Sequence, residues 1–114
     1  MKFLIVDDEK QWRYLISSWL TRMNIKFDIA ENGFEAIRLL QLDGYTHVTI
    51  DLYMPQMSGL TLCRYIKGKF PVTVIVLTNH PDSAQLLEHE VRYKFQKPSS
   101  FEAFEHIIKK VIAA

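Results

Sequence analysis

With 114 residues, 48% of them apolar and 24% charged, the chain has the length and composition of one globular domain with one core, which excludes a disordered tail or a membrane-only role. A formal net charge of +1 supplies no field for nucleic acid or an anionic membrane, and a single cysteine, Cys63, excludes an intramolecular disulfide or a cysteine metal cage. The longest N-terminal apolar run, Phe3 to Val6, is too short for a signal peptide or a membrane span, so one cytoplasmic domain over residues 1–114 is the expectation.

Phe3-Leu4-Ile5-Val6 predicts a short buried strand, followed at once by Asp7-Asp8-Glu9. Neighbouring acids repel one another unless a cation joins them, and they also suit the positive end of a helix. Trp12, Leu15, Ile16, Trp19, Leu20 and Met23 recur at helical spacing and predict a core-facing stripe. Phe27 to Ala30 alternates as a second strand. Asn32-Gly33 then precedes a second helix that carries Phe34, Ile37, Leu39 and Leu40 and ends near Gly44. His47-Val48-Thr49-Ile50 reads as a third, β-branched strand that ends on Asp51, and Pro55 stops the ladder soon after because it has no N–H to donate. Ser58-Gly59 opens a third helix with Leu60, Leu62, Cys63 and Ile66, where Cys63 reads as a buried, inert thiol.

Val72 to Leu77 is a continuous β-branched run, the pattern of a strand buried on both faces, and it ends at Thr78. Asp82-Ser83 suits the cap of a short helix bearing Leu86, Leu87 and Val91. Tyr93 to Gln96 predicts a fifth strand that ends at Lys97-Pro98. Ser99 with Glu102 then suggests a capping box for a last helix that packs Phe101, Phe104, Ile107, Ile108, Val111 and Ile112. Five strands alternating with five helices imply a (βα)5, doubly wound parallel sheet with helices on both faces.

In such a sheet Asp7 and Asp8, Asp51, Thr78 and Lys97, at the ends of strands one, three, four and five, project from one edge, the edge where open α/β sheets bind ligands. Clustered carboxylates beside a free carbonyl suit a hard divalent ion such as Mg²⁺ (or Mn²⁺). That ion keeps several waters, so Asp8, Asp51 and a backbone carbonyl suffice, with Asp7 holding a coordinated water. Lys97 adds a cation and Thr78 a hydroxyl, which together would spread the charge of a phosphoryl group while Asp51 attacks in line. A neutralising ion-pair cluster without turnover is the structural alternative.

Asp7-Asp8 after the first strand, Asp51 followed by Met54-Pro55 and Met57-Ser58-Gly59-Leu60, then Thr78, then Lys97-Pro98 together resemble the receiver domain of bacterial two-component response regulators, over the whole chain. The resemblance implies a flavodoxin-like, three-layer α/β/α fold and Mg²⁺-dependent phosphorylation of Asp51 by a sensor histidine kinase or histidine phosphotransfer protein. Output would pass to a downstream protein target, with no nucleic acid or membrane bound by this domain. It also implies that Asp8, Asp51 and the Tyr53 carbonyl ligate the metal, that Asp7 positions water, and that Thr78 and Lys97 bind phosphoryl oxygens. The Lys97-Pro98 bond would be a cis peptide.

The chain departs from the family's pattern at Lys94, where receivers usually carry an aromatic residue and where Tyr93 and Phe95 flank it. Asn79 stands where a small residue usually follows the threonine. Asn79, His80, Lys94 and Phe95 are therefore candidate switch or tuning positions, with His80 and Tyr53 at the mouth of the site. His47, His89 and His106 read as surface or strand-edge histidines, and Lys109-Lys110 complements the last helix dipole. A phosphoacceptor with at most slow self-dephosphorylation, not an enzyme, fits better than a phosphohydrolase resembling the haloacid dehalogenase group, which needs a second acid where Tyr53 stands. Two alternatives remain beside it, a receiver-like interaction module independent of phosphate and the receiver half of a truncated DNA-binding regulator.

Overall fold

The apolar, β-branched runs become strands and the amphipathic runs helices in a computed structural model, which describes residues 1–42, 44–81 and 91–114. The elements are β1 (Lys2–Val6), α1 (Lys10–Arg22), β2 (Lys26–Ala30), α2 (Gly33–Leu40), β3 (His47–Ile50), α3 (Gly59–Ile66), β4 (Thr73–Thr78), β5 (Tyr93–Gln96) and α4 (Phe101–Ala113). The short helix expected after Asp82-Ser83, with Leu86 and Leu87, lies outside the described residues except for Val91, which is buried, and His89, read as a surface or strand-edge histidine, lies outside them too.

All five strands run parallel in the order β2-β1-β3-β4-β5, the flavodoxin-like arrangement. The chain winds outward one way from β1 and the other way from β3. Their carboxyl ends therefore flank a crevice that no crossover covers, the switch point of the sheet.

Alternation along the strands sorts the core into two layers. Leu4, Val6, Val48, Ile50 and Val76 meet Ala36 and Leu40 of α2 and Leu62, Cys63 and Ile66 of α3. Phe3, Ile5, Ile75 and Leu77 meet Ile16 and Leu20 of α1 and Phe104, Ile107, Ile108 and Val111 of α4 on the other side. Each fully buried Leu, Ile or Phe side chain contributes roughly 1.5–3 kcal/mol of transfer free energy. Cys63 is buried, as its helix position led us to expect. No described helix is long and apolar enough to cross a membrane.

Several local expectations need correction. Phe34 is exposed, because α2 starts at Gly33 and turns Ala36 and Leu40 inward instead. Leu15 is also exposed, leaving Ile16 and Leu20 as the buried residues of α1. Ser100, not Ser99, caps α4, accepting the Ala103 N–H at 3.2 Å. Glu102 then falls one position short of the reciprocal bond that a capping box needs. The Lys97–Pro98 peptide is trans, since no cis bond occurs among the described residues. Trans is the form X–Pro bonds favour by about 0.5–1 kcal/mol, and a two-residue link from Lys97 to the Ser100 cap turns the chain without the costlier isomer.

Candidate functional site

The register of the sheet assembles the site. Val6 pairs with Ile50, so Asp7 and Asp51 leave β1 and β3 side by side, and the Asp51 N–H donates to the Val6 carbonyl at 3.1 Å. Ile50 pairs with Val76, so β4 continues two residues further, to Thr78. Thr78 in turn pairs with Gln96, and the Lys97 N–H donates to the Thr78 carbonyl at 2.9 Å. Asp7, Asp51, Thr78 and Lys97 are all buried at this edge, whereas Asp8 and Glu9 are exposed.

Lys97 turns back over the crevice. Its ammonium lies 3.0 Å from Asp7 Oδ2, 3.6 Å from Asp51 Oδ2 and 3.6 Å from Glu9 Oε1, and its side chain is only 1% exposed. The other oxygen of Asp7, Oδ1, accepts the Glu9 N–H at 2.9 Å, at the residue that caps α1. Of the two roles suggested for the first acid cluster, cation pairing is made through Asp7 Oδ2, whereas helix capping is not, because Glu9 caps α1 without a side-chain hydrogen bond and no acid lies in the first turn. Arg13 Nη1 donates to the Asp7 carbonyl at 2.9 Å and fixes the end of β1 from the helix side.

Charge is unbalanced here. Asp7, Asp8, Glu9 and Asp51 each bring an oxygen within 4.8 Å of the others, against the one ammonium of Lys97. Burial pushes Asp51 up to about 6; the charges of Asp7 and Asp8 push in the same direction and Lys97 opposes them. Burial also raises Asp7, against the Glu9 N–H and Lys97. An oxygen-only donor set short of positive charge fits a hard divalent cation, which would supply the missing charge.

On the opposite wall Thr78 Oγ1 accepts the His80 N–H at 3.1 Å, a bond that uses a lone pair and not the hydroxyl hydrogen. The exposed Tyr53 ring meets His80 edge to face at 5.3 Å, so the two residues expected at the mouth touch each other. Asn79 is exposed beside them. Tyr93 and Phe95 pack into the α1/α4 layer, which by strand alternation turns the half-buried Lys94 to the other face.

Two contributors escaped the sequence, Trp12 and Gly59, and Glu9 joins the site from the acid cluster expected to draw a cation. Trp12, which the helical stripe placed in the core, has its ring centroid 4.8 Å from Lys97 Nζ. Its position in the first turn after the acids was the available signal. Glu9 is a direct partner of Lys97. Gly59, expected only to open a helix, lies against the backbone of Asp51: a Cβ there would come within 2.0 Å of the Asp51 carbonyl oxygen. Its N–H donates to the Leu52 carbonyl at 2.8 Å.

Residues 3–109 match the family model for the response regulator receiver domain. The chain is 38% identical over 87 residues to the transcriptional regulatory protein ResD of Bacillus subtilis, a match spanning 76% of this chain and 36% of that protein. It is 30% identical to the transcriptional regulatory protein SrrA of Staphylococcus aureus over the same shares. The matched region is thus about a third of the length of these curated relatives. Among solved structures, the response regulator TrrA of Thermotoga maritima, crystallised in complex with Mg²⁺-BeF, superposes with a TM-score of 0.87 at 29% identity. That superposition covers 96% of this chain and 97% of that one.

Proposed function

The chain belongs to the response regulator receiver family, and from that premise we propose that Asp51 is its phosphoacceptor. Receiver domains serve two-component signalling by taking a phosphoryl group; the observation behind the choice of Asp51 is its place at the switch point, buried, with a buried ammonium 3.6 Å away. A carboxylate oxygen of Asp51 attacks the phosphorus in line. The bond to the donor, a histidine nitrogen of a sensor kinase or phosphotransfer protein, breaks with its electron pair staying on that nitrogen. Lys97 Nζ and the Thr78 hydroxyl then donate to the phosphoryl oxygens as charge builds on them.

Asp8, Asp51 and the Tyr53 carbonyl would hold Mg²⁺ (or Mn²⁺), with Asp7 orienting a coordinated water. When bound, the metal neutralises charge on both carboxylate and phosphoryl group. Phosphorylation adds about 1.5–2 negative charges at Asp51, and closure of Thr78 and Lys97 on that charge biases the neighbouring surface toward a downstream protein. The chain acts as an acceptor with at most slow self-dephosphorylation, in the cytoplasm, where its kinase would present the phosphohistidine.

Intact mass spectrometry after incubation with Mg²⁺ and acetyl phosphate tests the assignment. One phosphoryl adduct is expected, lost on chelation and lost in Asp51→Asn. Full adduct on Asp51→Asn would sink it.

The length of ResD and SrrA favours a second reading, in which this receiver is one part of a longer, DNA-binding regulator. Immunoblotting the native protein should then show a band well above 13.4 kDa, and a band at that mass would exclude it.

A further inference from the structure

The ammonium of Lys97 is enclosed on two kinds of wall. Carboxylate oxygens of Asp7, Glu9 and Asp51 surround it at 3.0–3.6 Å, and the ring of Trp12 closes another side with its centroid 4.8 Å away. Trp12 stands in the first turn of α1, half-buried and packed against the α1/α4 layer, so the ring is held from behind. An indole face attracts a cation through its quadrupole, most strongly of the aromatic side chains, and the attraction grows where water is excluded. With Lys97 only 1% exposed, the pair lies in that regime.

The distances give the ring a task. Lys97 Nζ lies closer to Asp7 than to Asp51, 3.0 Å against 3.6 Å, so a small shift toward Asp51 strengthens its bond to a group carried there. A fourth carboxylate in place of the ring would pull along a fixed hydrogen-bond direction and resist the shift. A π face attracts over its whole area, so it holds the ammonium in the pocket while letting it slide.

We propose that Trp12 is a positioning residue, holding the Lys97 ammonium at the Asp51 pocket through a cation–π contact and so strengthening the hold on a phosphoryl-like anion. This rests on Asp51 being the acceptor. The probe is beryllium fluoride with Mg²⁺, its binding followed by calorimetry on the full chain. Trp12→Leu is expected to weaken binding about tenfold, the scale of a desolvated cation–π contact, while Trp12→Phe keeps it within about threefold.

A shape-conserving series covers the case in which Trp12→Leu disturbs folding. In a Trp19→Phe background, fluorinated tryptophans at position 12 withdraw charge from the ring face with little change of size. Affinity should fall stepwise with the number of fluorines, which a purely packing role would not produce. Equal affinity across that series overturns the inference. No binding by the wild type overturns the Asp51 assignment itself, and with it this role for Trp12.

Discussion

Asp51→Asn should unfold at higher urea concentration than the wild type at pH 7.5 in chelator, and the difference should vanish in acid. Burial, the first cause, raises the Asp51 carboxyl from 3.8 to about 6, so between those values the folded state holds a proton that the unfolded state has released. Stability therefore falls as pH rises through this window, and the full loss is present above pH 6. At about 1.4 kcal/mol per tenfold change in proton affinity, the elevation corresponds to about 3 kcal/mol. The amide carries no charge and escapes that cost, while Lys97 keeps Asp7 at 3.0 Å and Glu9 at 3.6 Å as partners.

The advantage of the variant should shrink as pH drops through 6 and be gone below about 4, where both states of the wild type are protonated. Saturating Mg²⁺ should raise the wild type toward the variant and move the variant less, because a cation at the acids stabilises only the state that holds it. A variant no more stable than the wild type at pH 7.5 would mean that Lys97 compensates Asp51 fully and that the buried carboxylate carries no strain.

Gly59→Ala should cost both stability and phosphoryl uptake. Two effects compete at this position. Alanine favours a helix over glycine by about 1 kcal/mol, and position 59 is the first residue of α3. Against it stands a Cβ placed 2.0 Å from the Asp51 carbonyl oxygen and 2.8 Å from Leu52 Cα, both backbone atoms with no rotamer to turn away. Overpacking against main chain costs about 1–3 kcal/mol or more and wins.

Relief requires α3 to move away from the segment that carries Asp51. A net loss of about 2 kcal/mol is expected in urea unfolding. The rate of uptake from acetyl phosphate should fall about 100-fold, the usual consequence of displacing a reacting group by about 1 Å. A variant with wild-type uptake would show that the Asp51–Gly59 approach is slack and does not place the acceptor.

The parts legible in the sequence were those with a local signature. The run from Val72 to Leu77 signalled burial on both faces, which holds from Ile75 to Leu77 while Val72 to Val74 are half-buried, and the polar residues ending strands one, three, four and five mark the carboxyl edge. Asp7, Asp51, Thr78 and Lys97 could therefore be gathered at one edge without coordinates. What escaped depends on contacts between residues far apart in the chain. Helical spacing cannot separate a ring packed wholly in the core from one at the core's margin over a cation, so Trp12 read as core. Gly59 looked like a helix opener because the carbonyl that excludes a side chain belongs to residue 51. The isomer at Pro98 and the choice of Ser100 over its neighbour as cap follow from how β5 meets α4, which composition does not record.

The position of Lys97 also bears on synthesis of the chain. Asp7, Asp8, Glu9 and Asp51 all precede it, so a growing polypeptide that has reached only β4 exposes these acids with no ammonium to offset them. Their mutual repulsion keeps the crevice from settling until β5 docks beside β4 and the last partner arrives. A ribosome-bound fragment thus lacks the cation on which the proposed phosphoryl grip relies. On the proposed role of Lys97, translation must pass the fifth strand before the molecule can carry a signal.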